Sequence, residues 1–143
     1  MRPVAVYAQR LVVAPGHALA QCPRVVWQDL HGLPWVLPPA WASSRVKLAQ
    51  QFYRRGLNPP ADVIETASHL ATFTWLQQRG AVAFVAHAVA LQAQAQGQAR
   101  VLALRVPMEL PQVGLILLRG RMRSPACLQL LDCLQQTVPG KAG

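Results

Sequence analysis

The sequence predicts an α/β domain built on a parallel sheet, and three observations predict it. Between residues 33 and 106, short apolar runs alternate with segments of helical period in the order β, α, β, α, β, α, β, which requires right-handed crossovers. The run 81–85 is wholly apolar, as befits a parallel strand buried on both faces. Each helical segment between those strands ends at a glycine: Gly56, Gly80 or Gly97.

Residues 4–13 (VAVYAQRLVV) are apolar with β-branched residues at both ends, and predict one strand that Pro15 and Gly16 terminate. Residues 17–30 have no clean period; Pro23 interrupts them, and Val26, Trp27 and Leu30 pin a short helical turn onto the core. A short buried strand at 33–37 is closed by Pro38 and Pro39. Ser43 or Ser44 then caps a helix to Arg55, with Val46, Ala49 and Tyr53 on one line and Leu48 and Phe52 on the next.

Residues 62–67 read as a strand, and Ser68 as the N-cap of a helix that carries Leu70, Ala71, Phe73, Trp75 and Leu76 inward. Gly80 stops that helix, with Arg79 at the negative end of its dipole. After the strand 81–85 come an alanine- and glutamine-rich helix at 88–96 and a strand at 100–106. A further apolar strand is expected at 112–118. Ser124 and Pro125 then open a last helix, with Cys127, Leu131 and Leu134 on one face, before a frayed tail at 138–143.

A chain of 143 residues, 52% of them apolar, is long enough for one domain with a substantial core, or for two small lobes. Three cysteines without CxxC spacing form no paired framework, which favours a reducing compartment, the cytoplasm. The first residues carry Arg2, Pro3 and Arg10 and lack the apolar core of a signal peptide. The uncharged stretch 80–99 is strongly apolar only over 81–91, too short for the ~20 residues a membrane helix needs. The net charge of +9 comes from fourteen bases against five acids. Those bases are scattered; the one tight cluster is Arg119, Arg121 and Arg123, so solvated surface charge is a better reading than a nucleic-acid stripe.

The order of several short motifs resembles the effector-binding domain of LysR-type transcriptional regulators. They are LVVAPGHALA at 11–20, Trp27-Gln28-Asp29-Leu30, Leu33-Pro34-Trp35-Val36-Leu37, Arg55-Gly56-Leu57, Val63-Ile64-Glu65 and Leu76-Gln77-Gln78-Arg79-Gly80. The resemblance covers residues 4–136, and its order persuades more than any one motif. Ala18 departs from it where a proline is usual, and 81–85 lacks a second glycine and a following proline, which bears on the shape near Ala86 and His87.

The resemblance implies a three-layer parallel-sheet lobe of the type II periplasmic-binding-protein-like fold, with a partial second lobe. Residues 14–98 would form a complete second lobe, 4–13 and 99–106 the hinge strands, and 107–138 a remnant of the first lobe. It further implies a small effector between lobes, homo-oligomers, and DNA contact only through a helix-turn-helix domain absent from these residues. Effector binding would shift the lobes and, in an intact regulator, the DNA-binding arms. The apolar strand at 113–118 and the last helix would then lack their usual partners, leaving an edge open to another chain.

Two helix openings mark the expected site. Ser43, Ser44 and Arg45 begin one helix and Ser68, His69 and Thr72 the other, so free N–H groups, hydroxyls and positive dipole ends converge on a carboxylate or similar anion. His87 completes the expected set. The plainer role of Ser44 and Ser68 is capping, worth ~1 kcal/mol each, and that of His69 and His87 is packing. His17 is expected to serve its turn and His31 to be exposed.

No cofactor or metal is expected, since no histidine pair has i, i+4 spacing and no Cys and His lie near one another. Asp62 and Glu65 fall on opposite faces of a strand, and no GxSxG, P-loop or GxGxxG motif appears, so an enzyme is not expected. The alternatives are a solute-binding protein of similar two-lobed fold, which would be exported, and a small basic nucleic-acid-binding module with steeply salt-dependent affinity.

Overall fold

The computed structural model describes residues 2–5, 8–108 and 113–137 of the chain. It divides into two compact units: Ala8–Glu109, and Met1–Tyr7 with Leu110–Gly143.

The Ala8–Glu109 unit holds a five-stranded sheet. Its strands are β2 (Gln9–Val13), β3 (Trp35–Leu37), β4 (Val63–Glu65), β5 (Val82–Ala86) and β6 (Arg100–Arg105); β1 (Arg2–Ala5) belongs to the other unit. Their order is β4-β3-β5-β2-β6, with β3 parallel to both β4 and β5. The parallel centre is as expected, but the sheet as a whole is mixed, because β2 lies antiparallel between β5 and β6. Leu11, Val12 and Val13 are each 0% exposed, so this N-terminal segment has the apolar character an interior strand needs. β6 keeps the direction of β5, two antiparallel steps away, without touching it in the ladder.

Alternation along the strands builds two cores. Leu11, Val13, Trp35, Leu37, Val82 and Phe84 face helix α1 (Ser43–Tyr53) through Leu48 and Phe52. Val12, Val36, Ala83 and Val85 face helices α2 (His69–Arg79) and α3 (His87–Ala95) through Leu76, Ala90 and Ala93. The connections β3→β4 and β4→β5 run in opposite directions along the sheet, so right-handed crossovers put α1 and α2 on opposite faces. Trp27 and Trp35 meet Phe52 edge-on at 5.1 and 5.7 Å, and the Arg55 guanidinium lies 4.5 Å from the Trp27 ring.

Helix α1 departs from the sequence reading at its start. Its N-cap is Ala42, which offers no side-chain cap, and Ser43 and Ser44 are the first two helical residues. Entry is fixed instead by a turn, Ala42 N–H donating to the Pro39 carbonyl at 2.9 Å, and by Arg45, which holds the Pro38 carbonyl at 3.0 Å. Of its two apolar lines only Leu48 and Phe52 are buried; Val46 and Tyr53 are exposed. Gln51 takes an inward place because its amide donates to the Pro107 carbonyl at 2.9 Å and its side-chain oxygen accepts from Arg55.

Helix α2 begins as expected, with the Ser68 hydroxyl accepting from Ala71 N–H at 3.3 Å. It ends at Gly80, whose φ of 59° is left-handed, while Arg79 in the last turn pairs with Asp62. Leu70 and Trp75, expected inward, are exposed. The helix meets the sheet through the narrow stripe of Thr72 and Leu76, and Leu70 stands ~200° around the axis from Thr72. Residues 17–30 form two 3-10 turns, Ala18–Gln21 and Trp27–Leu30. As expected of His17, its Nδ1 caps the first by accepting from Leu19 N–H.

In the other unit, β1 (Arg2–Ala5) pairs antiparallel with β7 (Val113–Leu115), Pro3 opposite Gly114. The single strand expected over 4–13 is therefore two strands in two sheets, with residues 6–7 outside the described residues. The strand expected at 112–118 narrows to Val113–Leu115, Gln112 lying outside the described residues. Among the described residues, no strand pairs with the second edge of β7. Helix α4 (Pro125–Thr137) opens on Pro125, and Ser124 Oγ accepts from Cys127 N–H at 3.3 Å. Cys127, Leu131 and Leu134 are its half-covered face.

Candidate functional site

The helix openings meet at the carboxyl edge of the parallel strands. β3 and β5 are neighbours whose following segments leave for opposite faces, α1 to one and α3 to the other, and this divergence opens a groove where open α/β sheets hold ligands. The groove has a volume of about 190 Å³. Its floor is Val36, Leu37, Val85 and Ala86, and its polar lining is Gln9, Ser44, Thr66, His69 and Thr72.

Each polar group is placed by local structure. Ser44 sits in the first turn of α1, half-buried, and because Ala42 holds the cap position the hydroxyl has no hydrogen-bond partner among the described residues. Thr66 Oγ1 accepts from Ser68 N–H at 3.0 Å, and Thr72 Oγ1 donates to the Ser68 carbonyl at 2.9 Å, which keeps its lone pairs as acceptors. Gln9 arrives from β2, opposite Ala86 in the β2–β5 ladder. Neither α1 nor α2 has an acidic residue in its first turn, and the groove lining contains no carboxylate. The positive ends of two eleven-residue helices are thus left uncompensated beside one groove.

The expected residues divide. Ser44, His69 and Thr72 line the groove together. Ser43 is exposed and outside the lining, and the Ser68 hydroxyl serves its cap. The Arg45 guanidinium is committed to the Pro38 carbonyl and to Glu65 at 2.7 Å, so it fixes the β3–α1 connection and neutralises the one acid at the end of β4. His87, the first residue of α3, accepts from Arg10 Nε at Nδ1, 3.1 Å away, and also lies outside the lining. The sequence reading missed Gln9 and Thr66. Thr66, a hydroxyl residue two positions before the Ser68 cap, left a trace in the sequence; Gln9 left none, since its place depends on a ladder to residues far along the chain. No group of three or more His, Cys, Asp or Glu able to hold a metal occurs among the described residues.

Comparison with known proteins bears on the family and the fold. A family model described as LysR substrate binding domain matches residues 1–139. The HTH-type transcriptional regulator GalR of Pseudomonas putida is 32% identical over 129 residues, covering 89% of this chain and 32% of the regulator. GbpR of Rhizobium radiobacter, also an HTH-type transcriptional regulator, is 35% identical over 80 residues, 56% of this chain and 26% of that protein. This chain therefore spans about a third or less of the length of these curated relatives. Among solved structures, the effector-binding domain of QuiR in complex with shikimate superposes with a TM-score of 0.70 at 17% identity, over 96% of this chain and 64% of that one. The regulatory domain of CcmR from Synechocystis, in complex with 2-PG, gives 0.67 at 13% identity, over 97% and 66%.

Proposed function

This chain belongs to the LysR substrate-binding domain family, and from that premise we propose that it senses a small organic anion for a transcriptional regulator. The observation that carries the ligand class is the convergence of two uncompensated helix N-termini and the unspent Ser44 hydroxyl on a groove without a carboxylate. At about 190 Å³ the groove is smaller than the ~300–1,000 Å³ of pockets for drug-sized ligands, which suits a compact metabolite.

The anion accepts from Ser44 Oγ and from the open N–H groups at the start of α1, while His69 and the first turn of α2 close over it. Gln9 and Thr66 bind the ligand's remaining polar groups and so select its shape. Of the expected residues, Arg45, Ser68 and His87 support the groove by holding its walls, and Ser43 stands outside it. The family is a regulator family and not an enzyme class; the ligand is bound and released unchanged. DNA recognition falls to a part of the regulator outside the matched residues, since the relatives are HTH-type regulators and this chain covers 32% of the length of the first. No helix among the described residues is long and apolar enough to cross a membrane, and the cytoplasm is the compartment in which a transcriptional sensor with unpaired cysteines works.

The test is an NMR titration with small organic acids, shikimate and 2-phosphoglycolate among them, beside their neutral analogues. Amide signals of residues 43–45 and 69–71 are expected to shift saturably with an acid and not with its neutral counterpart. Shifts confined to other residues, or equal shifts with neutral analogues, would remove the anion reading.

A further inference from the structure

Hydrogen-bonding capacity is unevenly spent around the groove at the carboxyl edge of β3 and β5. On the α1 side, the amides of residues 43, 44 and 45 and the Ser44 hydroxyl have no partner among the described residues; Val46 N–H is the first in the helix to find one, the Ala42 carbonyl. On the α2 side, donors are used up locally. Ser68 N–H goes to Thr66 Oγ1 at 3.0 Å, Ala71 N–H to Ser68 Oγ at 3.3 Å, and Thr72 N–H to the Ser68 carbonyl at 3.0 Å.

The Thr72 hydroxyl also donates its single proton to the Ser68 carbonyl, at 2.9 Å. Thr74 makes the same bond to Leu70 one turn back, so the bond alone carries no meaning; Thr74, however, is exposed. Thr72 is 7% exposed and lines the groove, where its oxygen offers lone pairs and no proton. An ionised carboxylate or phosphate accepts hydrogen bonds and donates none. A plain anion therefore satisfies the α1 side and leaves the Thr72 oxygen facing a second acceptor, an unsatisfied and repulsive arrangement.

Building on the anion reading above, we propose that the effector is a hydroxy acid, a compact carbon skeleton bearing one ionised group and at least one hydroxyl. Helices α1 and α2 lie on opposite faces of the sheet, so the two chemistries reach the ligand from two sides. The ionised group accepts from Ser44 Oγ and the open amides of α1. The hydroxyl donates to Thr72 Oγ1 and accepts from the Thr66 hydroxyl, whose proton has no acceptor among the described residues. Gln9, whose amide is also without a partner among them, supplies one donor and one acceptor to a further polar group. Val36, Leu37, Val85 and Ala86 pack against the skeleton.

The experiment titrates the 143-residue chain calorimetrically with matched pairs of acids, together with the methyl esters of the hydroxylated members. The pairs are shikimate and cyclohexenecarboxylate, protocatechuate and benzoate, and glycerate and propionate. The best hydroxylated acid is expected to bind at least about tenfold more tightly than its deoxy partner, because a site built to receive a hydroxyl rejects the analogue that lacks it. Thr72→Val should cut that ratio by roughly fivefold or more, and Thr72→Ser should restore it. A merely structural loss would lower both affinities together and leave their ratio alone. Equal affinities within each pair would overturn the hydroxy-acid assignment while the anion reading stands, and a ratio unmoved by Thr72→Val would do the same. Methyl esters that bind as tightly as the acids, or no binding by any acid, would instead remove the anion reading and this assignment with it.

Discussion

Replacing Ser44 and Ser68 separately by alanine distinguishes ligand contact from helix capping, two roles that one residue type plays around a single groove. Ser68 Oγ accepts the Ala71 N–H at the start of α2 and lies outside the groove lining. Its loss should cost about 1 kcal/mol of stability, which lowers Tm by roughly 4–8 °C for a domain of this size. Ser44 is the second residue of α1, where no cap depends on it and alanine is the better helix former. Ser44→Ala should leave Tm within about 2 °C of wild type or raise it slightly, since propensity differences are a few tenths of a kcal/mol. Its effect belongs to binding: a hydrogen bond to a charged group contributes ~1.5–3 kcal/mol, so affinity for an anionic effector should fall by about ten- to a hundredfold. Calorimetric titration and thermal unfolding of the two variants read both quantities. Wild-type affinity in Ser44→Ala would refute the assignment of that hydroxyl to the ligand. A loss of binding in Ser68→Ala with Tm unchanged would refute the division of roles.

Phe52→Ala should cost about 3–5 kcal/mol in urea unfolding, because the ring is 2% exposed and both Trp27 and Trp35 pack edge-on against it; near-ultraviolet dichroism should weaken with it, and a cost below 1 kcal/mol would show that the core closes over the gap. Gln51→Leu removes the donor to the Pro107 carbonyl and the acceptor for Arg55, and should destabilise by ~1–3 kcal/mol despite the added apolar surface, as denaturant midpoints would report. Arg45→Ala breaks an ion pair whose partners are 23% and 51% exposed, so stability should change by no more than about 1 kcal/mol; ligand affinity should nevertheless fall as the Pro38 wall loosens, and unaltered affinity would show that this wall needs no such tie.

The elements that sequence pattern revealed are those whose cause is local. Ser68 and Gly80 bound α2 because a hydroxyl at the N-cap and a left-handed residue at the end act within a few positions of themselves. His17 at its turn and the Ser124–Pro125 start of α4 were legible for the same reason. Capping at Ser43 or Ser44 misled because the entry to α1 is set by a turn at Pro39 and by Arg45 reaching back to Pro38. Leu70 and Trp75 misled because apolar residues that flank a narrow contact stripe look, in one dimension, like the stripe itself.

By itself the sequence determined the α/β class, the run of strands and helices from 33 to 106, and the two helix openings that border the candidate groove, since periodicity and caps are properties of neighbouring residues. Only the tertiary structure decided that residues 4–13 split between two sheets and that β2 enters antiparallel between β5 and β6. It also brought Gln9 to the groove with Ser44, Thr66, His69 and Thr72, while turning Arg45 and His87 to partners elsewhere. Strand neighbours and ion-pair partners are chosen by contacts between residues distant in the chain, where every competing pairing must be weighed at once, and no local pattern records which one wins.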